Sequence, residues 1–299
     1  MHLGNGIICP VTGVPMLIAA AGSAFWAYKK LKSDFTKDKI MPLIILSAFV
    51  FALQMINFSI PLTGSSGHVI GASLLAVILG PQAAFLSICA ILLVQALFFA
   101  DGGLLALGCN IFNMGFLACF VVYPLVFKPL KNINKPLLAI ILSSIVSLQL
   151  GSIFAVIETV LSGTIVSNFL NYTSLMQIIH FPIGIIEGLI SACVYLAYNK
   201  MSAKQFAYSF GIVSLILASV ISKYASNKPD GLEWSLLNIS DSVIDNTQNI
   251  LYSISESVQA KMSILTTLPD SFANVSGIVI LSILVYLITL ALNNSKVKN

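Results

Sequence analysis

Apolar residues run through this chain in long blocks separated by short polar punctuation. The blocks lie at 11–28, 41–58, 69–80, 83–100, 104–127, 137–160, 178–198, 206–222 and 273–292. Most approach the roughly 20 apolar residues that a helix needs to cross a bilayer, and such unbroken runs indicate helices rather than the alternating strands of a barrel. The block at 69–80 is short, and Pro81 ends or turns it. The first ten residues, punctuated by Gly, Asn and Pro, predict no helix. Ser59 to His68, with its proline and two glycines, predicts a loop packed at or into the membrane. A polar segment at 223–271 parts the last two blocks and carries an amphipathic stretch near 243–262. The expected fold is therefore an all-α integral membrane protein. A bundle of about seven helices is expected over 1–200, followed by a two-helix hairpin module over 201–299.

Composition supports the membrane reading. The chain is 58% hydrophobic and 9% charged, with a mean hydropathy of +0.96, where a soluble domain carries roughly 25% charged residues. Its fifteen basic residues are all lysine, which excludes bidentate guanidinium recognition of a phosphate or carboxylate. Their placement sets the expected orientation. Lys29, Lys30, Lys32, Lys37, Lys39, Lys128, Lys131, Lys135, Lys200, Lys204, Lys296 and Lys298 fall on alternate loops or the C-terminal tail; Lys223, Lys228 and Lys261 fall on the other side. This puts the N-terminus outside, the C-terminus in the cytoplasm, and the His68 loop on the same face as Met1. The net charge of +4 is thus segregated by side and does not point to nucleic acid. No lysine-rich leader precedes the first block, so no cleaved signal peptide is expected.

Two of the three histidines are expected on the outer face. The α-amine of Met1, the amide nitrogen of His2 and the His2 Nδ1 can close fused rings around one ion, and His68 can supply a fourth nitrogen. A planar set of four nitrogens suits Ni(II) or Cu(II). The plainer alternatives are a frayed terminus and an ordinary helix-entry loop at 63–68. Asp101, Asn110 and Asn113 lie in or near the membrane. The two asparagines are three apart on one helical face, where bonds between helices are expected rather than ligation, and Asp101 could cap the next helix. His180 and Glu187 share a face of one span; a carboxyl at that depth points to ion handling, a subunit contact or a hydrogen-bonded structural role. Pro229-Asp230-Gly231 reads locally as a turn. The five cysteines show no ligand spacing; four are small hydrophobes within the blocks, and Cys9 alone is near the candidate site. Neither a phosphate-binding Gly-x-x-x-x-Gly-Lys-Ser/Thr pattern nor His-Glu-x-x-His occurs, which excludes a P-loop ATPase and a zinc protease.

Several of these blocks together resemble a known family. Met1-His2, Gly64-Ser-Ser-Gly-His68-Val-Ile-Gly, Gly80-Pro81, Asp101-Gly-Gly-Leu, Ala106-Leu-Gly-Cys-Asn110-Ile-Phe-Asn-Met114-Gly and His180-x-Pro182-Ile-Gly with Glu187-Gly188 are similar to the CbiM/NikM family. These are the substrate-capture (S) components of energy-coupling-factor transporters for cobalt and nickel. Pro229, Asp230, Gly231, Leu232 and Glu233 resemble the motif of a fused accessory subunit, the PDGLE domain. The resemblance implies capture of one divalent ion by Met1, His2 and His68, with Asp101, Asn110, Asn113, His180 and Glu187 as supporting or gating candidates. It implies a transmembrane coupling protein and cytoplasmic ATPase subunits as partners, a prokaryotic cytoplasmic membrane, no enzyme activity in this chain and no organic cofactor. Leu3-Gly4-Asn5-Gly6 follows where many cobalt members have Ile-Pro-Asp-Gly, so both nickel and cobalt (the latter for corrinoid synthesis) stay open. Two rivals remain: an ion-coupled secondary transporter using Glu187, and an intramembrane enzyme using His180 and Glu187.

Overall fold

The polar punctuation becomes the ends of helices. A computed structural model describes residues 1–165, 168–239 and 249–294. In chain order it has α1 (Pro10–Asp34), α2 (Ile40–Gln54), α3 (Ala72–Leu79), α4 (Pro81–Phe98), α5 (Leu107–Asn132), α6 (Pro136–Leu161), α7 (Phe169–Lys200) and α8 (Ala203–Ser219). Two shorter helices, α9 (Gly231–Leu237) and α10 (Ile250–Met262), precede the last, α11 (Asp270–Asn294). Pro10, Pro81 and Pro136 each open a helix, where the missing N–H costs nothing. Pro81 thus starts α4 directly after the short α3.

The protein is an all-α membrane protein. Six of the described helices (α1, α4, α5, α6, α7 and α11) are long and apolar enough to span a bilayer. With 15, 8 and 17 residues, α2, α3 and α8 are shorter, so three of the nine apolar blocks make helices of less than that length. The amphipathic stretch expected from 243 forms α10 from Ile250; residues 243–248 lie outside the described residues, as do Lys296 and Lys298.

With lipid outside there is little hydrophobic drive between helices, so close packing has to hold the bundle. Gly184 and Gly188, one turn apart on α7, let α6 approach: a Cβ on either would stand 2.8 Å from the Cα of Ile145 or Ile141. Phe85 meets Phe120 edge-on at 5.1 Å between ring centroids inside the bundle. The outward face of α1 leaves Val11, Ile18 and Phe25 exposed, as a lipid-facing helix does.

The candidate site residues gather at one end. There the N-terminal segment meets a two-residue antiparallel pair, β1 (Phe58–Ser59) with β2 (Ser66–Gly67), the loop between α4 and α5, and α9 and α10. Ser66 pairs with both Ser59 and Asp230, tying the His68 loop to the start of α9. At the opposite end Phe35, Lys39, Leu79 and Tyr198 surround a cavity of about 190 Å³.

Candidate metal site

The N-terminal segment is held by its backbone. Leu3 N–H donates to Asn110 Oδ1 at 2.9 Å, and Asn110 Nδ2 donates back to the Leu3 carbonyl at 3.1 Å. The same carbonyl accepts from Gly103 N–H at 2.9 Å. One asparagine amide thus grips both polar groups of the residue that follows His2, while the Leu3 side chain is sealed among Ile8, Ala106, Cys109 and Leu232. The paired glycines after Asp101 make room for this. Gly102 has φ +83°, and a Cβ at Gly103 would stand 2.8 Å from the Asn5 backbone nitrogen.

His68 is fixed in a parallel way. Gln54 Nε2 donates to the Ile70 carbonyl at 2.6 Å, and Ile70 N–H donates to Glu187 Oε2 at 2.8 Å. The glutamine from α2 and the carboxyl from α7 therefore grip the backbone two residues beyond His68. The His68 Nδ1 faces the Val69 carbonyl at 3.3 Å; since a carbonyl can only accept, Nδ1 carries the proton and Nε2 keeps its lone pair.

These two grips bring His2 and His68 together, with ring centroids 5.0 Å apart and planes inclined by 22°. An ion bonded at about 2.0–2.1 Å to a nitrogen of each ring would hold the centroids roughly 4.5–6 Å apart, which the observed spacing satisfies. The Met1 amino group lies beside them and donates to Asp230 Oδ2 at 2.7 Å, with the Met1 side chain 1% and Asp230 14% exposed. His2 Nδ1 lies 3.5 Å from Asp101 Oδ1, and His2 Nε2 is buried without a hydrogen-bond partner. A cavity of about 380 Å³ opens on this cluster, lined by His2, Gln54, His68, Asp101, Asp230 and Glu233 among others.

Burial, then the neighbouring Met1 ammonium, pulls the His2 imidazole down to about 3, and the same causes take His68 to about 3. Both rings are neutral at pH 7, the form that binds metals. Burial pushes the Asp230 carboxyl up, but the Met1 ammonium and the Glu233 backbone N–H outweigh it and hold Asp230 well below the usual range.

The Asp230 position follows from local sequence. It caps α9 through Oδ1, which accepts from Glu233 N–H at 2.8 Å, while Asp230 N–H donates to Glu233 Oε2 at 3.2 Å. This is a reciprocal capping box, so Pro229-Asp230-Gly231 starts a helix where a turn was expected. The carboxylate is divided: one oxygen caps, the other takes the amine. Ser66 N–H donates to the Pro229 carbonyl at 2.8 Å. Gln259 on α10 donates to the carbonyls of Ala96 at 2.8 Å and Gly102 at 2.7 Å and accepts from Asn5 Nδ2.

Other expected residues fall elsewhere. Asp101 faces His2 and makes no side-chain cap. Asn113 donates to Glu158 Oε2 at 2.6 Å, joining α5 to α6, and Cys9 contacts Thr12 at the start of α1. Gln54, Glu158 and Gln259 were not singled out from the sequence. Glu158 sits near the polar end of its block, and glutamines in apolar surroundings are the signal that could have marked the other two. Among the described residues no three His, Cys, Asp or Glu side chains converge to hold an ion by themselves.

One end of this helical membrane body thus gathers an amino terminus and two imidazoles. The model of the cobalt uptake substrate-specific transmembrane region, CbiM, matches residues 2–205, and that of the PDGLE domain matches 204–294. The chain belongs to the CbiM family of cobalt-uptake components. It is 33% identical over 199 residues to a putative fused nickel transport protein, NikMN, of Archaeoglobus fulgidus, covering 65% of this chain and 64% of that protein. The cobalt transport protein CbiM of Clostridium tetani is 26% identical over 222 residues, 71% of this chain and 90% of that one. The match to the fused nickel transport protein NikMN of Rhodobacter capsulatus, at 37% identity, covers 38% of this chain and 33% of that protein. The chain thus spans less than two thirds of these fused relatives' length. A crystal structure of a truncated transition metal transporter superposes with TM-score 0.60 at 34% identity, over 67% of this chain and all of that one. The protein is a multi-pass membrane protein of that family.

Proposed function

We propose that this chain is the substrate-specific component of an ATP-driven energy-coupling-factor transporter that takes up Ni(II). The ion is captured by the Met1 amine, the amide nitrogen and Nδ1 of His2, and His68. What carries the reading is the burial of the Met1 amino group beside two neutral, closely spaced imidazoles under a cavity. The amine faces Asp230, and His2 Nδ1 faces Asp101. Loading replaces a proton at the amine by the ion, so binding releases protons. A set containing a deprotonated amide favours Ni(II) over Zn(II) or Mg(II). Co(II) is the alternative cargo, favoured by the cobalt-uptake family match.

The chain works with a transmembrane coupling protein and cytoplasmic ATPase subunits, since it has no P-loop sequence of its own. The capture end faces outward and the C-terminus faces the cytoplasm, on the lysine asymmetry. Residues 1–200 form the capture body and 201–299 an accessory module. That module gates loading through Asp230 on the amine, Pro229 on the His68 loop and Gln259 on the segments flanking His2. Titration of the detergent-solubilised protein with Ni(II) tests the ligand set. His2→Ala or His68→Ala should each abolish tight one-to-one binding, while Cys9→Ser should leave it intact. Undiminished binding by both histidine variants would refute the assignment.

A further inference from the structure

The polar segment between the last two apolar blocks holds a helix with three distinct faces. On one face of α10, Tyr252 and Gln259 are buried. Gln259 donates to the Ala96 carbonyl, in the last turn of the spanning helix α4, and to the Gly102 carbonyl just beyond it. On a second face Ser253, Glu256 and Ser257 are exposed. On the third, Ile250, Ile254, Val258 and Met262 recur at every fourth residue with Leu251 beside them. All five are exposed, Ile250 to 76% and Ile254 to 54%. At about 100° per residue these five side chains fall within an arc of about 120°. Lys261 alone enters that arc, at the C-terminal end, where its long stem can carry the ammonium out to water.

Water around five large apolar side chains in one stripe is unfavourable, and a continuous exposed patch of that kind marks a binding surface. Its position in the fold identifies what covers it. Through Gln259 the helix is pinned level with the end of α4, at the edge of that span. Beyond Met262 a short connection leads to Asp270, the first residue of α11. That span leaves Val279, Ile283 and Leu287 exposed, as a lipid-facing helix does. Ile264, Leu268 and Phe272, also exposed, carry the apolar surface from α10 on to α11. The stripe is therefore continuous with the lipid-facing surface of the bundle, while Glu256 and the serines face water. An apolar stripe, a polar face and a place at the membrane boundary are the features of a helix that lies in a bilayer interface.

We propose that α10 is an interfacial helix whose stripe of Ile250, Ile254, Val258 and Met262 is seated in the phospholipid leaflet at the site end of the bundle. Lipid on this face and the Gln259 bonds on the other hold the helix against the α4–α5 loop.

Photocrosslinking in the full-length chain tests this. p-Benzoyl-phenylalanine replaces Ile254, Val258 or Glu256, one at a time, in membranes of cells that also make the coupling and ATPase subunits, so that a protein partner can compete with lipid. All three positions are exposed, so none of these replacements removes a packed side chain. After irradiation the Ile254 and Val258 variants should each yield a chain heavier by one phospholipid, in yields several times that of the Glu256 variant. A product joining α10 to the coupling subunit, or to a second copy of the chain, would overturn the proposal and assign the stripe to that protein. Equal lipid yields at all three positions, or no lipid adduct at Ile254 and Val258, would overturn it as well. The measurement reads the surroundings of α10 and not metal binding, so its outcome is independent of the capture reading.

Discussion

Asn110 sets where His2 lies by gripping the backbone of the next residue. Asn110→Ala strands the buried Leu3 N–H, which costs about 1–3 kcal/mol of stability. Because it loosens the support of a ligand, Ni(II) affinity should fall by roughly 10–100-fold; calorimetric titration measures it, and an unchanged affinity would remove Asn110 from the site. The sequence marked this residue by its polarity in an apolar block, but its partner was unreadable, since a backbone group 107 positions away leaves no side-chain pattern. Acid stability follows from the two buried imidazoles. Each has a folded value of about 3 against an ordinary 6.5, so between those limits the unfolded chain binds more protons than the folded one. Stability of the metal-free protein therefore rises with pH from 3 to 6.5 and is fully present above that window. The depressed Asp230 carboxyl acts in the same direction in acid. Thermal unfolding should show a lower midpoint at pH 4 than at pH 7, and a flat profile would contradict the burial of these rings.

Between elements, the decisive contacts join the N-terminal segment to α9, α10 and the α4–α5 loop. Apolar blocks revealed α1 to α8 and α11 because a span must be continuous in hydrophobicity. They could not reveal α9, whose seven residues are set by a capping box rather than by periodicity. For that reason Pro229-Asp230-Gly231 looked like a turn, and the pairing of Asp230 with the Met1 amine was invisible. Removing the charge tests this contact: Asp230→Asn leaves a buried ammonium without its counter-charge. Breaking one side of a buried pair costs about 3–5 kcal/mol, so the metal-free protein should unfold at a clearly lower denaturant concentration. A second test lies in the glycine pair. Gly103→Ala puts a Cβ 2.8 Å from the Asn5 nitrogen and 2.9 Å from the Gly4 carbonyl carbon. Backbone atoms cannot swing aside, so overpacking of about 1–3 kcal/mol should displace the N-terminal segment and weaken Ni(II) binding. An alanine variant with wild-type affinity would show that the segment tolerates another path.

For the whole molecule, fold class was largely legible, since 58% hydrophobic residues in long blocks leave few alternatives to a helical membrane bundle. The meeting of His2 with the His68 loop was legible too, because lysine placement put Met1 and that loop on one face without reference to histidine. How the site is closed was not, because it depends on Gln54 and Glu187 gripping Ile70 and on Gln259 spanning two loops. If residues 201–299 gate loading, a chain ending after residue 200 should take up nickel differently when produced with its coupling and ATPase partners; unchanged uptake would sink the gating role. The central claim is that the first two residues hold the ion, and one titration tests it most directly. Purified protein is titrated with Ni(II) and Co(II) beside a variant carrying one additional N-terminal alanine, which moves the free amine away from His2. Tight one-to-one binding by the original chain that disappears in the extended one is the predicted result. Equal binding by both would contradict it and place the ion away from the Met1 amine.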